Sequence, residues 1–174
     1  PPIDLAKTVL SALPERSGFD SALIDDVVMG LVEPVQEQGG NLPRIAALYA
    51  GYAQTVPGMQ VNRFCASGLV ATNLAAARIM SGQDDLVVGG GVESMSRAPF
   101  VFGKADNAFS RQMNVFDRTI GSRFPNKKIV DQYGDDPMPQ TADNLAEEFQ
   151  ITRDEADIFA LSSQNNYEAA EKDG

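Results

Sequence analysis

The fold is decided by residues 58–91, which read GMQVNRFCASGLVATNLAAARIMSGQDDLVVGGG. Residues 58–64 and 86–91 are apolar runs typical of buried strands, and residues 66–80 between them predict a helix. Arg78 is the only charge in that helical segment, so we expect a helix that is buried on every side. A strand, a helix and a strand in this order predict two parallel strands with the helix packed on their sheet.

The residues before this stretch continue the same alternation. A helix is predicted over residues 4–13, ended by Pro14, and a second helix over residues 41–52, with a buried strand over residues 27–32 between them. Asp20 is placed to cap a short turn before that strand. The β-α-β-α-β order predicts an α/β fold with a mostly parallel, helix-covered sheet.

Beyond residue 97 the pattern changes. Residues 98–139 show no helical or strand periodicity, and irregular stretches of such length in a compact domain usually serve function or form an interface. Residues 141–150 and 152–172 return to helical patterning. The second of these segments opens with the capping-box sequence Thr152-Arg153-Asp154-Glu155.

The formal net charge is −10, which argues against nucleic acid as a partner of the whole chain. The charge is uneven, because residues 97–128 form a basic island with seven basic residues against Asp106 and Asp117. This island could be a solvated or subunit-facing surface, or a landing site for a small polyanionic ligand. Composition leaves both open. The basic residues are Arg97, Lys104, Arg111, Arg118, Arg123, Lys127 and Lys128.

The chain contains no histidine and one cysteine. These counts exclude, within this chain, a Ser-His-Asp triad, a Cys-His dyad, a histidine metal site and an internal disulfide, and we expect no bound metal. A single thiol fits a reducing compartment. There is no apolar run of the roughly 18 residues that a membrane span needs. We therefore expect a cytoplasmic protein with no membrane partner.

Residues 89–94, Gly-Gly-Gly-Val-Glu-Ser, come close to the G-x-G-x-x-G pattern of dinucleotide sites. Ser94 replaces the last glycine and no helix is predicted directly afterwards, so the match is poor. The glycines instead favour close approach of this backbone to another backbone or to a ligand.

Cys65 lies where the predicted strand ends and the predicted helix begins. Backbone N–H groups and the positive end of the helix dipole stabilise a thiolate at such a junction, which makes Cys65 a candidate nucleophile. The alternative is a cysteine that only fills space in the core. The small residues that follow it favour an accessible sulfur.

Three blocks of this sequence together resemble the thiolases, the acetyl-CoA acyltransferases. The blocks are VNRFCASGL at residues 61–69, GGGVESMSRAPF at residues 89–100 and MPQTADNLA at residues 138–146. The spacing of the first two blocks also matches, and the likeness extends over essentially the whole chain. Within the family, residues 109–144 look most like the 3-oxoadipyl-CoA thiolase branch.

The resemblance implies that Cys65 is the acyl-accepting nucleophile of an acyl-CoA:acetyl-CoA C-acyltransferase. Such an enzyme cleaves 3-oxoacyl-CoA, or forms it by Claisen condensation, through an acyl thioester on the cysteine. Coenzyme A is then a substrate, with no permanently bound cofactor. Met138 aligns with a methionine that lines the pantetheine pocket, and Ile129 with an apolar residue near the CoA adenine. Acyl-CoA, CoA and further copies of the chain, in a homodimer or homotetramer, are the implied partners.

The resemblance also implies what this chain lacks. Thiolases use a second, acid–base cysteine, a histidine in a Gly-His-Pro block and an Asn-Glu-Ala-Phe block, none of which is present. We therefore interpret the chain as most of the N-terminal half of a thiolase, inactive on its own. The expected fold is layered and incomplete, with a mixed, mostly parallel sheet, a buried helix and an irregular loop domain.

The domain organisation follows from the same resemblance. Residues 1–97 are expected to form the N-terminal domain without its first strand, and residues 98–140 the first part of the loop domain. Residues 141–174 would be helices of the loop domain or a return to the N-terminal domain.

Three alternatives remain open at this stage. The first is a non-catalytic Rossmann-like binding module in which Cys65 is core packing. The second is another condensing enzyme of the same superfamily, such as a ketoacyl synthase, although residues 93–96 favour a thiolase. The third is a natural half-length chain with a structural role in a thiolase assembly.

Overall fold

The structure is a computed structural model that describes residues 1–105 and 107–174. The chain divides into two compact units, Pro1–Thr119 and Ile120–Gly174, and each is described by itself. The domain boundaries expected at residues 97 and 140 stay a prediction.

The first unit is built on a three-stranded parallel sheet. Its strands are β1 (Asp26–Gly30), β2 (Gly58–Val61) and β3 (Val87–Gly91), in the order β2-β1-β3. Val28 of the central strand pairs with Met59 on one side and with Gly89 on the other. The predicted α/β fold with a mostly parallel sheet is confirmed.

Three helices accompany the sheet: α1 (Pro2–Ser17), α2 (Leu42–Tyr49) and α3 (Ser67–Met80). Val27 and Met29 of β1 join a core with residues of α1 and α2, whereas α3 packs against β1 and β3. The core residues are Ala6, Leu10, Ile24, Val27, Met29, Leu31, Leu42, Ala46, Ala47, Tyr52 and Val56. Burial of these apolar side chains is the main favourable term in the stability of this unit.

The predicted end of the first helix at Pro14 is wrong, because α1 continues to Ser17. A proline inside a helix leaves the carbonyl four residues earlier without its usual donor. Here that carbonyl belongs to Leu10, and the buried Tyr52 hydroxyl donates a hydrogen bond to it at 2.8 Å. Burial also raises the pKa of Tyr52. A residue distant in sequence therefore removes the reason for the helix to stop.

Other predicted bounds shift at residues that leave the regular backbone. The second helix ends at Tyr49 and is followed by Gly51 at a φ of 85°, a conformation that glycine adopts without strain. β1 ends at Gly30 and does not reach residue 32, since the Val32 N–H donates to the Glu93 carboxylate. The predicted short turn is confirmed, because Asp20 Oδ1 accepts a hydrogen bond from the Ala22 N–H at 2.9 Å.

Within this chain α3 is buried on one side only, in contrast to the expectation of burial all round. Ser67, Ala71 and Ala75 face the sheet and are buried, whereas Leu69 is exposed and Met80 is 87% exposed. The physical reason is that a single layer, the sheet, covers this helix.

Residues 98–139 contain more regular structure than predicted. β4 (Phe100–Phe102) and β5 (Val115–Asp117) form an antiparallel pair with Val101 opposite Phe116. Strands of three residues are too short to show an alternating pattern in sequence. The remaining elements are α4 (Lys127–Tyr133), α5 (Met138–Glu148) and α6 (Arg153–Asp173), all in the second unit.

The helices of the second unit contain no buried residue. α6 begins as predicted, with the Thr152 side chain and the Glu155 side chain forming the reciprocal hydrogen bonds of a capping box. α5 begins three residues earlier than predicted because Pro139 falls in its first turn, where the missing N–H costs nothing. None of the described helices is long and apolar enough to span a membrane.

Candidate active site

Cys65 lies in the short connection between β2, which ends at Val61, and α3, which begins at Ser67. Its thiol is free and exposed. The sequence therefore placed this cysteine correctly between a strand and a helix. An accessible sulfur at such a position is available to a substrate, whereas a packing cysteine would be buried.

The residue before the cysteine has an unusual backbone conformation. Phe64 has a φ of 47°, in the left-handed region that non-glycine residues rarely occupy. This conformation costs about 1–2 kcal/mol for a residue with a Cβ, so neighbouring groups must hold it. It turns the chain sharply at the end of β2 and places Cys65 directly before the helix.

Two polar side chains hold this turn. Asn62 Oδ1 accepts a hydrogen bond from the Phe64 N–H at 2.9 Å. The buried Ser67 hydroxyl accepts from the Arg63 N–H at 2.8 Å and donates to the Phe64 carbonyl at 2.6 Å. The hydrogen bonds thus hold both the N–H and the carbonyl of Phe64. We call Asn62 and Ser67 the turn brace.

Glycines in the strands allow α3 to lie very close to the sheet. A Cβ on Gly30 would lie 2.3 Å from the Ser67 carbonyl carbon, and one on Gly89 would lie 3.1 Å from the Ala75 Cβ. One on Gly91 would lie 2.9 Å from the Gly30 oxygen. Only residues without a side chain allow the helix to come so close to β1 and β3.

These contacts decide how the Gly89–Gly91 segment is interpreted. Two of its three glycines serve backbone packing, as we expected, and Gly90 faces open space. The segment is followed by a 3₁₀ turn at Met95–Arg97 and not by an α-helix. The features of a dinucleotide-binding loop, whose glycines precede a helix that holds the pyrophosphate, are therefore not met here.

A network of polar side chains lies where the segments that follow β1 and β3 meet. Glu93 accepts hydrogen bonds from the Val32 N–H at 2.7 Å and from Gln38 Nε2 at 2.5 Å. The buried Gln38 side chain also donates to the Glu33 carbonyl at 3.1 Å and accepts from the Ser94 N–H at 2.9 Å. The network fixes the loop after β1 against the loop after β3. The sequence analysis did not predict this network. Glu93 belongs to the thiolase-like block of residues 89–100, but no pattern in the sequence pointed to Gln38.

This network reaches the turn of Cys65 through Asn62. The Asn62 amide donates to the Val32 carbonyl at 3.1 Å, and the Val32 N–H is the group that Glu93 holds. Asn62 therefore links the brace to a loop that is itself fixed. The whole connection lies at the carboxyl end of the parallel strands, where α/β proteins usually place their sites.

Part of the basic island is neutralised by carboxylates. Arg97 pairs with Glu37, and Arg118 pairs with the buried Glu33. The hydrogen bond from Arg97 lowers the pKa of Glu37, and the same bond raises the pKa of Arg97. These pairs reduce the positive charge that the island can offer to a polyanionic ligand. Asp106, which belongs to the island in sequence, lies outside the described residues.

The two candidate CoA-binding residues lie on helices of the second unit. Met138 is the first residue of α5 and Ile129 lies in α4, and both side chains are exposed. Cys65 belongs to the first unit. The roles of Met138, Ile129 and Cys65 stay predictions.

The nucleophile that this site offers is the accessible thiol of Cys65. Cys65 can accept an acyl group, but the chain contains no histidine that could remove its proton or a proton from a substrate. No cluster of histidine, cysteine, aspartate and glutamate side chains suited to a metal ion occurs in the described parts of the chain.

Known proteins with similar sequences match this chain over nearly all of its length. The sequence model of the thiolase N-terminal domain matches residues 1–174. The chain is 47% identical over 172 residues to a β-ketoadipyl-CoA thiolase of Pseudomonas aeruginosa. It is 48% identical over 172 residues to the 3-oxoadipyl-CoA/3-oxo-5,6-dehydrosuberyl-CoA thiolase of Escherichia coli K12.

A more distant relative is the acetyl-CoA acetyltransferase of Shinella zoogloeoides, 37% identical over 174 residues. These alignments cover 98–100% of this chain but 43% of each relative. The chain thus spans less than half the length of the curated relatives that it matches. It belongs to the thiolase family and corresponds to the N-terminal half of a thiolase.

Proposed function

We propose that this chain is the nucleophile-bearing part of an acyl-CoA:acetyl-CoA C-acyltransferase and that Cys65 carries the acyl group. The observation that carries the proposal is the exposed Cys65 thiol on a braced turn at the start of α3. In a member of the thiolase family, an accessible and fixed thiol is what covalent acyl transfer requires.

In the degradative direction the Cys65 thiolate attacks the 3-keto carbon of a 3-oxoacyl-CoA. The bond between C2 and C3 breaks, the electron pair stays on C2, and protonation of the resulting enolate releases acetyl-CoA. The shortened acyl group remains as a thioester on Cys65 until the thiol of a second CoA displaces it. The synthetic direction reverses these steps, so CoA serves as a substrate and not as a permanently bound cofactor.

The acid–base groups for these steps must come from residues beyond this chain. A helix N-terminus contributes about 0.3–1 kcal/mol to a nearby negative charge. That is about one pKa unit or less, too little to replace a base. We therefore propose that the isolated 174-residue chain has negligible turnover and that the full-length protein is active.

The fold of the whole protein follows from the same proposal. The exposed apolar side of α3, with Leu69 and Met80, would be covered by residues beyond this chain, which would bury the helix all round. We propose an N-terminal domain over residues 1–97 and a loop domain that begins at residue 98. Its helices, or a return to the first domain, would occupy residues 141–174.

Binding of CoA and assembly are proposed on similar grounds. By the resemblance to the thiolases, Met138 would line the pantetheine pocket and Ile129 would lie near the adenine, and both side chains are apolar and exposed. A homodimer or homotetramer is proposed, with the strand that leads to Cys65 pairing across the two-fold axis. This strand was expected over residues 60–64, but β2 ends at Val61 because the chain turns at Phe64. The names of the relatives make 3-oxoadipyl-CoA the proposed substrate, whose chain, shortened by two carbons, would be the acyl group on Cys65.

The test is acylation of Cys65 in the full-length protein. The protein is incubated with acetyl-CoA, digested, and the peptide that contains Cys65 is weighed. An acetyl increment on that peptide is expected in the wild type and not in Cys65→Ala, and turnover of Cys65→Ser should fall by about 10³-fold or more. Normal turnover in Cys65→Ser, or an acetyl increment on another residue alone, would contradict the proposal.

A further inference from the structure

We propose that Asn62 and Ser67 are positioning residues for Cys65: they hold Phe64 in its left-handed conformation and thereby set the direction of the thiol. The inference rests on the proposed function, because direction matters only if Cys65 attacks a substrate carbonyl. Neither residue is assigned a chemical step. Their effect passes through the backbone of Phe64.

The geometry of the turn carries the argument. Phe64 directly precedes Cys65, and its φ of 47° is one that a phenylalanine does not adopt without support. Asn62 Oδ1 accepts from the Phe64 N–H at 2.9 Å, and the Phe64 carbonyl accepts from the Ser67 hydroxyl at 2.6 Å and from the Ser67 backbone N–H at 2.9 Å. Both peptide groups that flank the strained residue are therefore fixed.

The brace is anchored at both ends. Asn62 donates to the Val32 carbonyl, on the loop that Glu93 holds through the Val32 N–H. Ser67 is 3% exposed, and its backbone lies against Gly30 of the central strand. The turn thus cannot relax without the loss of hydrogen bonds to structures that are themselves rigid.

Relaxation of the turn would move the nucleophile. If Phe64 returned to an ordinary negative φ, the peptide that joins it to Cys65 would rotate and the sulfur would shift with it. A displacement of about 1 Å at a reacting atom can reduce a rate by about 10²-fold. Loss of the brace should therefore reduce the rate of acylation more than it reduces binding of the acyl-CoA.

The experiment uses glycine to separate positioning from general stability. Glycine adopts a positive φ without strain. Alanine has a Cβ, as phenylalanine does, and therefore pays the same backbone penalty at a positive φ. In the full-length protein we compare Ser67→Ala with the double variants Ser67→Ala/Phe64→Gly and Ser67→Ala/Phe64→Ala. Thr72→Val is the control, since its hydroxyl bonds the Gly68 carbonyl one turn along the same helix and does not touch the turn.

The readouts are the maximal rate of Cys65 acetylation and the acetyl-CoA concentration at half-maximal rate. Ser67→Ala is expected to lower the maximal rate about tenfold or more, with little change in the half-saturating concentration. Phe64→Gly in the same background should restore most of the rate, Phe64→Ala should not, and Thr72→Val should match the wild type. Asn62→Ala is expected to behave like Ser67→Ala.

Each outcome bears on one claim. Equal maximal rates in the wild type and Ser67→Ala, even with a lower melting temperature, would overturn the positioning role and leave the proposed function intact. Equal rates in the glycine and alanine double variants would overturn it too, because relief of backbone strain would then be irrelevant. A wild-type protein that does not acetylate at Cys65 would overturn the proposed function, and this inference with it.

Discussion

The helices α3 and α6 both begin where the sequence indicates, but different forces fix their starts. α3 has no side-chain cap at its N-terminus and is seated by the close approach of its first turn to Gly30. α6 has a complete capping box and no buried residue. The first helix is thus specified by tertiary packing and the second by its own sequence.

This difference has a functional consequence. The proposed nucleophile lies at the start of the helix whose position depends on the sheet, so the sheet sets where the thiol is. Sites placed on rigid elements are more precise than sites on free loops. The contrast predicts that changes in the sheet disturb α3 and its turn strongly, whereas changes at the start of α6 act locally.

The largest effect is expected from Gly30→Ala. The added Cβ would lie 2.3 Å from the Ser67 carbonyl carbon and 2.5 Å from the Gly68 nitrogen, and backbone atoms cannot yield as side-chain ends do. We expect a loss of about 3 kcal/mol or more, at or above the upper end for overpacked cores. The thermal midpoint and the soluble yield of the full-length protein measure it.

Gly90→Ala is the matched control for that change, because a Cβ at Gly90 would meet none of the described residues within 4 Å. Its thermal midpoint should stay close to that of the wild type. If Gly30→Ala were as stable as Gly90→Ala, α3 would not be seated by contact with β1. The comparison between the two helices would then fail at its first step.

A smaller effect is expected at the other end of α3. Arg78 pairs with Asp26 at the start of β1, at 2.5 Å, and with Asp84, and these hydrogen bonds raise the pKa of Arg78. Loss of one partner of a buried pair costs about 3–5 kcal/mol. The Arg78 side chain keeps 21% of its exposure, so we expect about 2 kcal/mol for Arg78→Met.

Arg16→Met provides the control for Arg78→Met, since Arg16 is an exposed residue in the last turn of α1. Its thermal midpoint should change little. In Arg78→Met, faster amide exchange is expected in the last turn of α3. If neither the amide exchange in that turn nor the thermal midpoint changed in Arg78→Met, the ion pairs would not hold the helix against β1.

Much of the fold could be predicted from sequence because the elements of the first unit are long apolar runs separated by breaks. The order of strands and helices, and with it the parallel sheet, follows from this pattern. The errors occur where a distant side chain changes a local preference. Tyr52 allows α1 to pass through Pro14, and Glu93 takes the Val32 N–H out of the sheet ladder. Local propensity cannot contain such information.

Some residues of the candidate site could also be predicted from the sequence, and others could not. Cys65 could be selected from its position at a strand–helix junction, and Gly89 and Gly91 from their lack of a side chain. The left-handed Phe64 could not, because phenylalanine rarely adopts that conformation and the hydrogen bonds of Asn62 and Ser67 that stabilise it form only in the folded turn. Gln38 could not be found either, since its partners Glu93 and Ser94 are more than fifty residues away.

The smallest expected effect concerns the local specification of α6, and peptides can measure it. Because its cap lies within its own sequence, a peptide of residues 150–174 should retain some helix in water. A peptide of residues 66–81 should retain almost none, since uncapped helices of fewer than about 15 residues are marginal. Circular dichroism measures both. Equal helicity would contradict the distinction between the two helices.

The contribution of Glu155 to that helix should depend on pH with a definite sign. Hydrogen bonds from the Thr152 backbone N–H and hydroxyl lower the pKa of Glu155 in the helix, relative to about 4.3 in an unfolded chain. Since the folded pKa is the lower one, the carboxylate stabilises the helix above the unfolded pKa. This stabilisation is lost as the pH falls through the folded pKa. The wild-type peptide should therefore exceed Glu155→Gln in helicity at pH 7, and the difference should shrink as the pH falls below the unfolded pKa. Glu171→Gln, near the other end of the helix, should show no such advantage for the wild type. A difference that persisted at a pH where NMR shows the Glu155 carboxyl to be protonated would mean that the cap acts through another group.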